Sequence, residues 1–123
     1  MANDFKSFSK QNIARDDGTY STLYTVPYTA ADVESILLEV DIANTSANDI
    51  TVDCKLNKNS GGTGGTDDVF IIKSAPVPAG GALKVVSGQK IVMMSTSSGA
   101  DTVTVAASAT SSADCIVSLL EDV

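Results

Sequence analysis

Residues 36–56 read ILLEVDIANTSANDITVDCKL, and this stretch decides the fold class. In each of its halves, apolar side chains recur at every second position: Ile36, Leu38, Val40 and Ile42, then Ile50, Val52, Cys54 and Leu56. Successive side chains of a strand point to opposite faces of a sheet, so the alternation predicts two strands that each bury one face. The polar residues 44–49 between them favour a turn. The pair is therefore predicted to form an antiparallel hairpin.

Most of the remaining chain repeats this pattern in short runs separated by turn residues. The further runs cover residues 21–27, 69–73, 82–86, 90–94, 101–108 and 115–120, and a turn is expected at 87–89. No segment has the 3.6-residue periodicity of an amphipathic helix. The sequence thus predicts an all-β protein, a single antiparallel β-sandwich of about eight short strands that is jelly-roll-like.

Composition limits the classes of partner. The chain has 123 residues, of which 43% are hydrophobic and 5% aromatic, so the core must consist mainly of Val, Ile, Leu and Ala. The longest apolar runs are far shorter than the roughly 20 residues of a membrane span, and the first residues lack the apolar region of a secretion signal. The net charge of −7 argues against direct binding of nucleic acid, which needs a basic surface.

The charge is unevenly distributed along the chain. Residues 1–15 carry a net charge of +2 (three basic side chains and one acidic), which leaves −9 for the rest. Residues 1–20 are polar with scattered apolar side chains, and they are predicted to form an extended arm on a sandwich domain of residues 21–123. The arm is expected to contact a neighbouring subunit through Phe5, Lys6, Phe8, Lys10, Ile13 and Arg15. The acidic side chains of the sandwich are expected to be solvated, and this set comprises Glu39, Asp41, Asp53, Asp67, Asp68, Asp101 and Asp114.

Residues that could carry chemistry are scarce. The chain has no histidine, and no serine, threonine or cysteine has a credible base partner, so no catalytic residue, cofactor or metal ligand is predicted and the protein is not expected to be an enzyme. In the glycine-rich segment 57–68, the run GGTGG is not followed by the lysine and Ser/Thr of a phosphate-binding loop. Calcium binding by Asp67, Asp68 and Asp101 is the alternative if their loops converge. The cysteines, Cys54 and Cys115, are expected to be free, buried thiols.

An ordered series of segments resembles one group of viral proteins. The series is MANDFKS at 1–7, LYTVP at 23–27, DIANTS at 41–46, ITVD at 50–53, KSAPVPAGGA at 73–82, SGQKI at 87–91 and SADCIVSLLE at 112–121. With it, nearly the whole chain resembles the small β-sandwich virion structural proteins of tailed bacteriophages, especially large contractile-tailed phages of marine cyanobacteria. Residues 91–100 depart from the family pattern, in which an acidic residue and Gly-Asp precede the next strand.

The resemblance implies a non-catalytic particle component located in the virion and assembled in the host cytoplasm. The expected function is that of a capsid decoration (cement) subunit, a homo-oligomer that contacts other virion proteins, above all the major capsid protein. Two alternatives stay open. One is a neck, tail or baseplate component. The other is a carbohydrate-binding β-sandwich, for which Tyr20, Tyr24 and Tyr28 would have to supply an aromatic groove.

Overall fold

A computed structural model of the chain describes residues 3–15, 18–59 and 67–122. Within these residues it is all-β, with two antiparallel sheets that form a sandwich, as the sequence predicted. The nine strands described are β1 (Asn3–Lys10), β2 (Ser21–Thr25), β3 (Val33–Asn44), β4 (Ile50–Asn57), β5 (Val69–Val77), β6 (Ala82–Thr96), β7 (Gly99–Ala100), β8 (Thr102–Ala107) and β9 (Ala113–Asp122).

The strand order is that of a long hairpin folded back on itself. One sheet has the order β1-β9-β3-β6-β7 and the other β2-β8-β4-β5. When the two-residue β7 is set aside, the first strand pairs with the last, the second with the last but one, and so on to the adjacent pair β4 and β5. This arrangement of eight strands in two sheets is jelly-roll-like, as expected.

The core lies between the inner faces of the two sheets. Fully buried aliphatic side chains of β3 and β9, such as Leu37, Ile42 and Leu119, face those of β4 and β8, such as Val52 and Val103. Packing of thin sheets about 10 Å apart suits this composition, because β-branched side chains fill a pleated surface without aromatic bulk.

A β-bulge at Leu38 shifts the alternation of β3. Leu37 pairs with Leu119 of β9, and the next pair is Glu39 with Ser118, so Leu38 has no partner. The inner face of β3 is consequently supplied by Leu37 and then by Val40. The prediction that Ile36 and Leu38 share a buried face with Val40 and Ile42 is wrong, because one extra residue in a strand reverses the face of everything before it.

A predicted hairpin and a predicted turn are also wrong. β3 and β4 lie in different sheets, so residues 45–49 carry the chain across the sandwich and do not close a hairpin. The alternation could not distinguish these arrangements. The apolar face of each strand turns towards the core whether the two strands are neighbours in one sheet or lie in facing sheets. Residues 87–89 lie inside the single strand β6, where Gly88 and Lys90 have φ values of 85° and 62° and form a wide bulge opposite β3.

The N-terminal segment is paired within the chain. β1 runs along β9 in eight consecutive pairs, and the side chain of Ile13 is fully buried in the core. Ile13 is therefore a core residue, which corrects its expected role as an exposed interface residue. The predicted boundary after residue 20 does not coincide with the start of the sheets. The sequence pattern did not predict β1, because most of its residues are polar. An edge strand buries little surface and so does not need a continuous apolar face.

Two predicted loops lie wholly or partly outside the described residues. These are the turn at 16–18 and the glycine-rich segment 57–68, of which residues 16–17 and 60–66 are not described.

The two cysteines are buried free thiols on facing sheets, Cys54 on β4 and Cys115 on β9. Burial raises the pKa of each thiol to about 12. Because the thiolate is the reactive species, we expect iodoacetamide to modify neither cysteine in the folded protein and both in denaturant without reductant. Intact mass spectrometry measures both states. A protein that stays unmodified in denaturant would contain a disulfide and contradict the structure.

The buried position of Ile13 predicts a large effect on folding. Ile13→Ala is expected to lower the free energy of unfolding by about 2–5 kcal/mol, because it leaves a cavity in a packed core. Phe5→Ala is the matched control on the same segment, and its ring, 80% exposed in the single chain, predicts a change within about 0.5 kcal/mol when unfolding of the monomer is measured. Urea denaturation compares the two. Equal, small effects would show that residues 3–15 fold independently of the sandwich.

Candidate assembly surface

The candidate surface is the edge of the five-stranded sheet at β1, with the groove beside it. Among the described strands, β1 pairs only with β9, from Asn3 opposite Asp122 to Lys10 opposite Cys115. Side chains alternate along it. Phe5, Ser7 and Ser9 lie on the outer face of the sheet, and Lys6 and Phe8 lie on the side of the second sheet.

An apolar row crosses the outer face of this sheet from the β1 edge. Phe5 lies opposite Leu120, Leu120 opposite Ile36, and Ile36 opposite Val92, so the row spans four strands. Phe5 is 80% exposed and Val92 53% exposed. The bulge at Leu38 places Ile36 in this row. Apolar side chains scattered singly on a surface need no explanation, but a continuous row is typical of a contact surface.

A groove of about 400 Å³ opens between β1 and β2. It is lined by Lys6, Phe8, Thr22, Leu23, Tyr24, Thr25, Pro27 and Glu121. The ring of Phe8 lies 5.2 Å from that of Tyr24, centroid to centroid, and closes one side of the groove. Among the described strands, β1 and β2 lie at the same side of the sandwich in different sheets and are not hydrogen-bonded to each other.

A buried carboxylate joins the sheets at the base of this groove. Glu121 Oε1 accepts a 2.7 Å hydrogen bond from Lys6 Nζ, and Glu121 Oε2 accepts one of 2.6 Å from the Tyr24 hydroxyl. Tyr24 has one hydroxyl proton and gives it to Glu121, so Ser35 Oγ, at 2.7 Å, donates to Tyr24. Glu121 is 1% exposed and Tyr24 4% exposed. The network thus ties β1, β3 and β9 of one sheet to β2 of the other.

The pKa values in this network follow from its contacts. Burial opposes the charge of Glu121, but the hydrogen bonds from Lys6 and Tyr24 outweigh it and hold the pKa of Glu121 below its ordinary value. The hydrogen bond to Glu121 raises the pKa of Lys6. Burial, and after it the bond to Glu121, raises the pKa of Tyr24 far above the usual range. All three groups therefore keep fixed protonation states near neutral pH and are unsuited to proton transfer.

Two further carboxylates are buried in the same manner. Asp53 Oδ2 accepts hydrogen bonds from Tyr20 and Lys73, and its Oδ1 accepts one of 2.7 Å from the backbone N–H of Ser74. The exposed fraction of Asp53 is 2%. The prediction that this side chain is solvated is wrong, because the segment before β2 brings Tyr20 over the outer face of β4.

Asp101 is the third buried carboxylate, with no exposed surface. Its carboxylate accepts hydrogen bonds from Lys58 Nζ and from the backbone N–H groups of Asn59 and Met94. Burial opposes its charge, but these bonds prevail and lower the pKa of Asp101. The expectation of a solvated Asp101 is also wrong, because the end of β4 folds over it.

The structure separates the residues that were predicted to form the interface. Phe5, Lys10 and Arg15 are exposed, and Phe8 is 40% exposed at the groove. Lys6 is bound to Glu121, so its charge is already neutralised within the chain. Their contact with a neighbouring subunit stays a prediction. Sequence reasoning missed Glu121, although it continues the inward alternation of Val117 and Leu119 and could have been found there.

The alternative calcium set has a different use in the structure. Asp68 Oδ1 accepts a hydrogen bond from the backbone N–H of Lys58, whose ammonium group binds Asp101. Among residues 3–15, 18–59 and 67–122, no group of three or more metal-binding side chains is found. Over the same residues, no helix has the length and apolar character to cross a membrane.

Comparison with known proteins finds similarity in structure alone. No family model and no curated protein matches the sequence. A chain of the Bacillus endospore appendages, a family of disulfide-linked pili, is 17% identical with a TM-score of 0.40, and the match covers 98% of this chain and 85% of that one. Chains of infectious bursal disease virus also match. The Gx strain has 10% identity, a TM-score of 0.43 and coverages of 98% and 41%. A mutant VP2 protein of the same virus, from T=1 particles, is 10% identical with a TM-score of 0.44, and the match covers 97% of this chain and 39% of that one. The chain spans about two fifths of these viral chains.

The lowered pKa of Glu121 predicts sensitivity to acid. A carboxyl group whose pKa is lower in the folded state stabilises the fold above its ordinary pKa of 4.5, and this contribution is lost as pH falls through the folded value. Glu121→Gln is expected to lower the free energy of unfolding by about 1–3 kcal/mol at neutral pH. It should also flatten the decline of stability that the wild type shows as pH falls below the ordinary pKa of 4.5.

The matched control for this variant is Glu34→Gln, at an exposed position in the same sheet. Its stability should stay within about 0.5 kcal/mol of wild type at neutral pH. Denaturant titrations at several pH values give both curves. If Glu121→Gln retained the full acid dependence of wild type, the ion pair with Lys6 would not stabilise the fold.

Proposed function

We propose that this chain is a non-catalytic virion structural protein of a tailed bacteriophage, and that it acts as a capsid decoration subunit in contact with the major capsid protein. The resemblance of the ordered segments from residue 1 to residue 121 supplies the phage assignment. The observation that carries the structural role is the apolar row from Phe5 to Val92 beside the edge strand β1. A rigid sandwich with an apolar strip and an open sheet edge has surfaces for assembly.

The ionisable groups support the same proposal. Glu121, Asp53 and Asp101, the three buried carboxylates described above, each bind a lysine and further donors. Their charges hold strands in place. A catalytic acid or base needs a pKa near the working pH and access to a substrate, and these contacts provide neither for Glu121 or Asp101.

Copies of a decoration subunit bind a repeating lattice, so each contact can be weak while the whole layer holds. In this proposal the acidic body of the sandwich faces solvent, and the residues near the β1 edge (Phe5, Phe8, Lys10 and Arg15) contact neighbouring virion proteins. Placement at the neck, tail or baseplate is the alternative within the same structural class.

Copy number on the particle tests the placement. A decoration protein is expected in a number comparable to that of the major capsid protein, and particles lacking it should release DNA at a lower temperature than wild type. Quantitative mass spectrometry of purified virions and a thermal release assay measure the two effects. Particles restored with the Phe5→Ser variant provide a matched test of the apolar row. A small copy number typical of a ring, with heads of unchanged thermal stability, would assign the chain to the neck or tail.

A further inference from the structure

We propose that β1 pairs antiparallel with β1 of a second copy of this chain, across a two-fold axis at Ser7. The inference deepens the proposed function and rests on it, since it names one partner of the assembly surface. The pairing would join two five-stranded sheets into one continuous sheet of twice that number.

The four outer strands of the two sheets differ in how far they are protected against such pairing. β5 contains Pro76, a register shift, and Ser74 with a φ of 52°. β2 has five residues and a register shift. β7 has only two residues and covers only Ser95 and Thr96 of β6, and the edge that β6 leaves open is interrupted by the wide bulge at Gly88 and Lys90. β1 has eight residues in unbroken register and contains no proline. Prolines, bulges, short length and charged side chains are the usual means by which proteins block an edge. Of these β1 has only charged side chains, Asp4, Lys6 and Lys10, and the charge of Lys6 is already bound to Glu121.

Geometry restricts the possible registers. Opposed residues in an antiparallel pair lie on the same face of the sheet, and a two-fold axis pairs β1 with itself. Each residue must therefore oppose one that is an even number of positions away, so the axis passes through a residue. Centring on Ser7 pairs residues 4–10, seven of the eight residues of the strand.

The register centred on Ser7 is complementary in charge. It places Asp4 opposite Lys10 of the second copy, and the symmetry repeats this pair on the other side. Both side chains are exposed on the described strand. Lys6 lies opposite Phe8 of the second copy, and the two Ser7 side chains face each other. Opposite charges in direct cross-strand pairs are favourable, and like charges there are unfavourable.

The neighbouring registers are less favourable. Centring on Lys6 places two lysines face to face. Centring on Phe8 sets Lys6 opposite Lys10. Centring on Phe5 retains only residues 3–7, so it pairs five residues in place of seven. Centring on Phe5 also opposes unlike charges, Asp4 and Lys6, but only over this shorter pairing. Of the two registers that pair seven residues, only the one through Ser7 avoids opposed like charges.

The same register covers the most exposed aromatic side chain. On the outer face, Phe5 comes to lie opposite Ser9 of the second copy, and Ser9 is itself opposite Ile116 within its own sheet. Phe5 is 80% exposed and Ile116 is 44% exposed in the single chain. A serine between them leaves room for the ring to lean towards the isoleucine, so pairing buries apolar surface at both ends of the join.

Charge reversal in the full-length protein tests the register. Sedimentation over a range of concentrations distinguishes a monomer of 12.6 kDa from a dimer of twice that mass. The wild type should dimerise, and Asp4→Lys or Lys10→Asp should each raise the dimer dissociation constant by at least about tenfold. The double variant should recover dimerisation. An equimolar mixture of the two single variants should also form a heterodimer, because each lysine then opposes an aspartate.

Cross-linking tests the position of the axis independently. Ser7→Cys places two cysteines directly opposite each other, with Cβ atoms about 4.5–5.5 Å apart, close to disulfide geometry. Ser9→Cys, on the same face of the same strand, is the matched control. Its two cysteines would be about 13 Å apart, four residues along the strand. Mild oxidation followed by non-reducing electrophoresis should give a covalent dimer for Ser7→Cys and little for Ser9→Cys.

Three results would overturn the pairing: a wild type that stays monomeric at high concentration, a double variant no better than the single ones, or equal cross-linking at positions 7 and 9. None of these would affect a high copy number on the particle, which tests the decoration role. Conversely, if the protein forms this dimer but is present in low copy number on the particle, the strand pairing stands and the decoration role is wrong.

Discussion

Buried carboxylates held by lysines determine how the parts of this sandwich stay together. Glu121 fixes β1 and β2 to the body through Lys6 and Tyr24, Asp53 fixes the bulge of β5 through Lys73 and Ser74, and Asp101 fixes the end of β4 through Lys58. Each carboxylate also receives a hydroxyl or backbone donor, as a charge removed from water requires. Val, Ile and Leu fill the space between the sheets, but their side chains are all aliphatic and make no directional contacts. The ion pairs, by contrast, each join particular segments: β1 to β9, β5 to β4, and the residues after β4 to Asp101.

The alternating sequence predicted the class, the approximate number of strands and much of the core. Ile50, Val52, Cys54 and Leu56 are all buried, as are Val103, Val105 and Ala107. Pattern alone could not locate the bulge at Leu38, because apolar residues occupy positions 36, 37 and 38 and either phase fits them. It also could not distinguish a hairpin from a crossing between sheets, since both bury the same faces of β3 and β4.

The residues expected at the assembly surface divide into two groups in the structure. Phe5 and Lys10, within the segment 1–15 of net charge +2, are exposed, and their contact with a neighbouring subunit stays a prediction. Lys6 and Ile13 belong instead to the chain's own contacts. Glu121 lies 115 positions from Lys6, and Ala113, whose carbonyl accepts the hydrogen bond of the Ile13 N–H, is also remote in sequence, so neither contact leaves a local signal. Glu121 could have been recognised by its phase with Val117 and Leu119. Asp53 gave no such signal, because it occupies the outer phase of β4 and is covered by a distant tyrosine.

The pairing of first strand with last also sets the order in which the fold can form. Lys6 and Glu121 are separated by 115 positions, and β1 acquires its sheet partner only when β9 exists. Contacts so distant in sequence pay the entropy of closing a long loop before they gain any energy, and proteins dominated by them fold in milliseconds to seconds. During synthesis β4 and β5 can pair early. β1 cannot pair until residues 115–122 of β9 have left the ribosome. The strand at the open edge is thus synthesised before the other eight described strands and is among the last to be paired.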